Sequence, residues 1–418
     1  MTIMTTSNSV TNSIRTQYIP EYMQSDYDTA LDKLKLYGQV AVPYTNFSGG
    51  LDMNTLMKGS TIRIPFASGM NIEEDTISET ADVTPQILYD TYTDVTPTSR
   101  RGALQSSEKL DMQVYTNLES QRVKALAENA VVTIESVAIN AALRGAWVER
   151  ASGYAAGDRA NLSGSTSAHR LSASELSKMD GLLQSLKTPG FMGPGGQTWA
   201  AIMHPWPFHD LIESSPILYV AEYQQGSIIL NWELGQIGRF KLLSSAYAKV
   251  MMGAGADASG GTALATTLDG AVTRGATTII TADDVSATGY SGFGVLWTIG
   301  TEESGTTFYP NNERIKFLSA STTTLTVNGE GSKGLRYDHA TGTAVRNANS
   351  VYPVLYAGPE SIISIFATDV GEWGQVVGPK NQGLLDQWTS LGWKWYGQFG
   401  IISENRLVRG EYSSSYDV

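Results

Sequence analysis

The chain contains no cysteine, and that absence removes disulfides, thiolate zinc sites and cysteine nucleophiles together. A fold of 418 residues must then be held by packing and by partners. Histidine is scarce as well. His169, His204, His209 and His339 follow no metal-binding spacing such as H-E-x-x-H, so no metal is expected, and His204 reads as a cap for the strand or helix beside it. Positive charge is in the minority, with 29 Lys and Arg against 41 Asp and Glu and a net charge of −12. That balance excludes a dedicated nucleic-acid binder, whose affinity comes from clustered cations on phosphates. It leaves open a surface that merely encloses nucleic acid. No apolar run approaches the ~20 residues needed to cross a bilayer, and no basic-then-apolar leader opens the chain. No membrane partner is expected, and the reading is of a soluble protein made in a cytoplasm. Asn46 and Asn161 match the glycosylation pattern only by chance in that setting.

Catalytic signatures are missing too. GEGSKG at 329 to 334 lacks the Gly-Lys-Ser/Thr ending of a phosphate-binding loop, and GYSGFG at 289 to 294 does not satisfy G-x-S-x-G. No catalytic or cofactor-binding residue is assigned, and an enzyme is not expected.

What is present starts with a polar arm. Residues 1 to 18 are rich in Thr, Ser and Asn without a sustained apolar period, so another protein chain is expected to tie them down. Ser25 then caps a short amphipathic helix carrying Ala30, Leu31, Leu34 and Leu36, which ends near Gly38. From Pro43 to about Leu104 the pattern turns to strands: GSTIRIPF at 59 to 66 alternates, and QILYDTYTDV at 86 to 95 favours extended structure. The two predict a long β-hairpin, which needs a surface to rest on. Glu73, Glu74, Asp75, Glu79 and Asp82 crowd its tip region, and Arg100 and Arg101 lie at its base. Two readings stay open: a solvated acidic loop, or a contact in which the tip of one subunit meets the basic base of another through Arg-carboxylate pairs.

Thr116-x-x-Glu119 is a capping box that opens the longest helical segment, 117 to 144, with Val123, Ala127, Ala130, Ile134, Val137 and Ala141 on one face and Gly145 as a stop. A second capping box, Ser172-x-x-Glu175, opens a helix with Leu176, Met179, Leu182, Leu183 and Leu186 on its apolar face, ending at Thr188-Pro189-Gly190. TWAAIM at 198 to 203 reads as a buried strand ended by His204-Pro205, and WPFHDLIE resumes a helix. A turn at 233 to 238 leads into the strand RFKLLSS. Between about 250 and 348 the composition shifts to Gly, Ala and Thr, with short β runs at 277 to 280, 294 to 300, 314 to 317 and 323 to 327. This predicts a small β domain inserted into a larger one that resumes at Tyr352. ESIISIF at 360 to 366 and the stretch from 392 to 412 supply further strands, so an open α+β sheet fed from both sides of the insert is the expected architecture.

The order of these elements, with ELGQIGRFKLLSS at 233 to 245, AIMHPWPFHDL at 201 to 211 and LGWKWYGQFGIISENRLVR at 391 to 409, resembles the major capsid proteins of tailed bacteriophages with the Hong Kong 97 type (HK-97-like) fold, most of all the group typified by the phage N-four coat protein. The resemblance implies an N-terminal arm at 1–42, an extended hairpin loop at 43–105 and a peripheral domain with a spine helix at 106–200, completed by 391–418. It further implies an axial domain at 201–250 and 349–390, with the insert at 251–348. It also implies a structural protein that assembles with itself, as pentamers and hexamers, into an icosahedral virion head around double-stranded DNA held without sequence-specific binding. A portal, a decoration protein and a separate scaffolding protein are the partners, the last because Met1 suggests no cleaved N-terminal scaffold. The alternative is a β-rich surface-layer or phage tail protein, which would not need a long helix after a long hairpin.

Overall fold

The computed structural model describes residues 37–43, 61–67, 90–107, 118–151, 159–193, 196–214, 236–245, 247–253, 265–284, 296–301, 307–329, 334–346, 349–367, 374–382 and 388–417. Among them are twenty strands, β1–β20 in chain order, and four α-helices, α1–α4. The chain is mixed α+β and forms two units: Met1–Ala138 with Glu360–Ile402, and Ile139–Pro359 with Ser403–Val418.

The first unit is built around β19 (Trp388–Ile401), 14 residues of alternating burial in which Leu391, Trp393, Trp395 and Phe399 point inward. Along one edge it pairs antiparallel with β4 (Thr98–Ser107). Along the other it pairs with β18 (Gln375–Gln382) and then with β17 (Ile362–Phe366), and β1 (Val42–Pro43) adds to β17 in parallel. A bulge interrupts β18 between Val377 and Lys380, where Gly378 takes φ +115°, a conformation that side chains rarely adopt. The expected hairpin strands pair as β2 (Ile62–Ala67) and β3 (Asp90–Val95).

The long helical period is realised as α2 (Leu118–Ala142), 25 residues. Val123, Ala127, Ala130, Ile134 and Ala141 are buried as their spacing predicts, while Val137 is half-buried. Glu135 is buried in the middle of this helix, where its carboxylate accepts the backbone N–H of Tyr37. Tyr37 begins α1 (Tyr37–Val40), and the expected helix from Ser25 onward otherwise lies outside the described residues. Burial and the Glu135 charge raise the Tyr37 phenol above its ordinary pKa.

The second unit holds a seven-stranded sheet. Its central strands are β7 (Gly196–Met203), β16 (Tyr352–Ala357) and β20 (Leu407–Tyr412), the last two buried along their whole length. β5 (Val148–Arg150) runs parallel to β20, and β9 (Phe240–Ser244) runs parallel to β7. The short β6 (Phe191–Gly193) and β8 (Gln236–Ile237) pair with β7 and β9. Strands from before and after the insert therefore share one sheet, as the sequence predicts. α3 (Ala173–Ser185) starts at Ser172, whose hydroxyl accepts from the Glu175 amide at 3.4 Å, and buries Leu176, Met179 and Leu183. α4 (Pro205–Glu213) follows β7 directly, with Pro205 in its first turn and His204 as its cap.

The insert is also in this unit. β10 (Ala265–Thr267), β15 (Ala344–Arg346), β12 (Leu296–Gly300), β13 (Glu313–Ser321), β14 (Thr324–Gly329) and β11 (Thr278–Ile280) form a sheet in that order. Hydrogen bonds from Asp269 N to Ile280 O (3.0 Å) and from Ala282 N to Thr267 O (2.9 Å) join its two outer strands, so the sheet closes into a small barrel. Leu268, Ile279, Ile299, Ile315, Leu325, Val327, Leu335 and Val345 fill it. Met251 and Val351 exchange backbone hydrogen bonds of 2.8 and 3.1 Å where the chain leaves the parent sheet and returns.

Candidate functional site

The hairpin base finds its support on its own chain. Ile62, Ile64 and Val95 are buried against Ile363, Ile365 and Ile402, with Tyr396 packed beside them. The opposite face is polar. There the Arg63 guanidinium reaches both Asp94 oxygens at 2.9 Å and lies 3.8 Å from the Tyr92 ring centre, and the Thr61 and Thr96 hydroxyls meet at 2.8 Å. The Arg63 hydrogen bonds lower the Asp94 pKa, and the charge attraction of Arg63 acts in the same direction. Both side chains are exposed, so the pair sets register more than it adds stability. Glu73, Glu74, Asp75, Glu79 and Asp82 lie outside the described residues.

Arg100 and Arg101 are adjacent in β4 and therefore face opposite sides of the sheet. Arg100 is half-buried: it donates to the Gly397 carbonyl and the Gln398 side-chain oxygen, each at 3.3 Å, and its guanidinium lies 5.5 Å from the Trp395 ring. Burial lowers its pKa, though an arginine remains a cation. This arginine is engaged by its own chain. Arg101 is exposed and stands opposite Lys394 of β19, also exposed. Lys394 gives no sign in the sequence of being near Arg101, because only the strand register brings them together.

The barrel is fastened to the parent sheet by cations. Lys249 donates to the Pro310 carbonyl at 2.6 Å, and Arg159 to the Thr307 carbonyl at 3.1 Å. In the other direction, Arg314 of β13 packs 4.9 Å from the Trp206 ring centre and reaches His204 Nε2 at 3.2 Å. Burial, helped by the Arg314 charge, pushes the His204 pKa down to about 3, so its imidazole is neutral. A neutral ring has one acceptor nitrogen. It therefore serves either Arg314 or the Trp206 amide, 3.3 Å from Nδ1, at any one time. The expected capping role of His204 is present, and the contact to the insert is an addition that sequence reading missed.

Two further clusters tie the chain terminus down. Asp210 of α4 accepts hydrogen bonds from the Ser415 amide and hydroxyl, while Tyr416 stacks on Trp206 with ring centres 5.6 Å apart. His209, Asp210 and Glu213 bring their ligand-type atoms within 4.8 Å of one another, but Asp210 is already engaged by Ser415, and the group serves as a clasp for the last turn. In the second cluster, Glu411 of β20 is fully buried among three guanidinium groups: Arg159 at 2.5 and 3.0 Å, Arg150 at 3.2 Å and Arg409 at 3.2 Å. Arg409 also donates to the Leu143 carbonyl. The cluster joins residues some 250 positions apart in the chain, and no local pattern announces it.

No described family matches this sequence, and neither does any curated protein. Solved structures do. A structure from Mycobacterium phage Che8 is 7% identical, with 90% of each chain covered and a TM-score of 0.48. The capsid structure of the cyanophage P-SCSP1u is 9% identical, with 85% of this chain and 83% of that one covered and a TM-score of 0.48. The capsid asymmetric unit of the cyanophage Pam1 is 12% identical, with 85% and 86% covered and a TM-score of 0.46.

Proposed function

We propose that this chain is a major capsid protein of a tailed bacteriophage, of the Hong Kong 97 type and of the group typified by phage N-four, and that copies of it form the icosahedral shell around packaged double-stranded DNA. The reading makes the chain similar in role to the capsids named above. The observation that carries it is the assembly of the first unit. The return strand of the hairpin leads through β4 onto β19, which comes from near the chain end, and Trp393 of that strand donates to Asn129 of the long helix at 3.0 Å. A sheet pinned to a long helix, with the hairpin strands packed on it, is an arrangement suited to tiling. Its motifs at 201–211, 233–245 and 391–409 resemble that family in the same order.

In this reading the role is structural and not enzymatic. Residues 1–42 and 43–105 reach neighbouring subunits, 106–200 with 391–418 form the peripheral domain, and 201–250 with 349–390 form the axial domain that carries the insert. Many modest contacts then add up over the lattice. With a net charge of −12 the shell encloses DNA without reading it. A separate scaffolding protein, a portal and a decoration protein complete the head, which is assembled in the host cytoplasm. Among the described residues no helix is long and apolar enough to cross a membrane.

The test is electron microscopy of the purified chain, alone and co-expressed with its neighbouring genes. Closed polyhedral shells, or rings of five and six, are expected. Sheets or tubes of constant width would favour a surface-layer or tail protein, and a dispersed monomer would overturn both readings.

A further inference from the structure

His204 sits between β7 and α4 with 3% of its surface exposed, and burial keeps its ring neutral. A neutral imidazole carries one N–H and one lone pair. The capping contact takes the lone pair, because Nδ1 accepts the Trp206 amide at 3.3 Å. The proton then lies on Nε2, and that nitrogen faces the Nη1 donor of Arg314 at 3.2 Å. Two N–H donors thus point at one place, and neither can satisfy the other.

Arg314 adds a further donor, since its Nε is buried without a hydrogen-bond partner. Among the described residues no carboxylate pairs with this guanidinium, whose contacts are the His204 ring and the face of Trp206, 4.9 Å away. A half-buried cation held without a counter-charge is costly, so the contact set is short of an anion. Strand register supplies a second cation. Thr298 of β12 has Arg314 as its partner on one side and Arg346 of β15 on the other, which places both arginines on the same face of the barrel. They stand two strand spacings apart, about 10 Å at the Cα atoms, within the reach of two arginine side chains to one group. Arg346 is half-buried like Arg314, and its pKa is lowered by that burial.

We infer that the seam between the inserted barrel and the parent sheet holds an oxyanion site, in which Arg314, Arg346 and the Nε2–H of His204 receive a phosphate group. Planar guanidinium forks match phosphate oxygens, and a neutral N–H donor between them adds direction without adding charge. An anion in this place touches β13 and β15 of the barrel and the β7–α4 junction of the parent sheet together, so it fastens the insert to its mount.

Titration calorimetry of the purified full chain with inorganic phosphate, at constant ionic strength and with chloride as the control, is the test. Saturable binding is expected, and Arg314→Gln should weaken it by roughly tenfold or more. Arg346→Gln is read in the same way if Arg314→Gln does not fold. No saturable binding to the parent chain, or undiminished binding in a folded variant of either arginine, overturns the site. The His204 imidazole gives a separate readout by NMR. Phosphate beside Nε2 favours the charged ring, so its pKa should rise from about 3, and a value unmoved at saturating phosphate also overturns the site. A short DNA duplex without terminal phosphates identifies the source of the group. Displacement of bound phosphate by the duplex assigns the site to a nucleic-acid backbone, and phosphate binding that the duplex does not disturb assigns it to the free anion; both results support the site.

Discussion

The indole N–H of Trp393 donates to the side-chain oxygen of Asn129 at 3.0 Å, and a methyl group at Gly102 would sit between the two, 2.5 Å from the nitrogen and 2.9 Å from the oxygen. The helix and the sheet of the first unit are pinned through a gap that only glycine leaves open. Gly102→Ala is therefore expected to cost about 1–3 kcal/mol through overpacking. Asn129→Ala should cost a similar amount, about 1–3 kcal/mol, because the buried indole loses its acceptor. Urea unfolding followed by tryptophan fluorescence measures both, and midpoints indistinguishable from the parent chain would refute the pin.

Glu411 pairs with the guanidinium groups of Arg150, Arg159 and Arg409 in the buried cluster. Glu411→Gln keeps the shape and removes the charge that the three guanidinium groups share. A loss of about 3–5 kcal/mol is expected, the range for breaking a buried ion pair from one side. A thermal midpoint within a degree or two of the original chain would show that the cluster is not a brace.

The inserted barrel has its own core and closed strand edges, and its ends meet at Met251 and Val351. Residues 254–348 expressed alone should therefore fold, with a β-type circular dichroism spectrum and a single cooperative melt. A disordered spectrum would mean that Lys249, Arg159 and the aromatic seat around Trp206 are needed for folding and not only for mounting.

The low pKa of His204 sets a direction for pH dependence. Below about pH 6.5 the unfolded chain takes up a proton that the folded chain refuses down to about pH 3. Proton uptake by the unfolded state makes stability fall as pH is lowered through that window, by up to about 1.4 kcal/mol per pH unit. Above it this group contributes no slope. His204→Asn keeps an N-capping side chain and cannot titrate, so its stability should lose close to one proton of slope between pH 6 and 4. Parallel stability curves for the two proteins would contradict the neutral, buried ring.

Much of the fold is legible in local pattern. Ser172 and Glu175 mark the start of α3, and the His204-Pro205 pair marks the passage from β7 to α4. The candidate site is less legible. Strand alternation does imply that Arg100 and Arg101 must part company, since neighbours in a strand point to opposite faces, but which of them meets solvent depends on where the helix lies. Lys394 could be placed beside Arg101 only through a register set nearly 300 residues away in sequence. The same holds for Glu411 and Arg159, and for the closure of the insert, whose outer strands carry no mark of joining.

The paired exchange of hydrogen bonds between Met251 and Val351 means that the chain leaves for the inserted domain and returns from it at two backbone positions about 5.5 Å apart at the Cα atoms. A compact domain whose own termini lie that close could be joined at the same two positions, at the cost of the contacts that Lys249, Arg159, His204 and Trp206 make to the present insert. The position is thus a practical one for grafting a foreign domain, because neither end of the graft would have to span a gap wider than one strand pair.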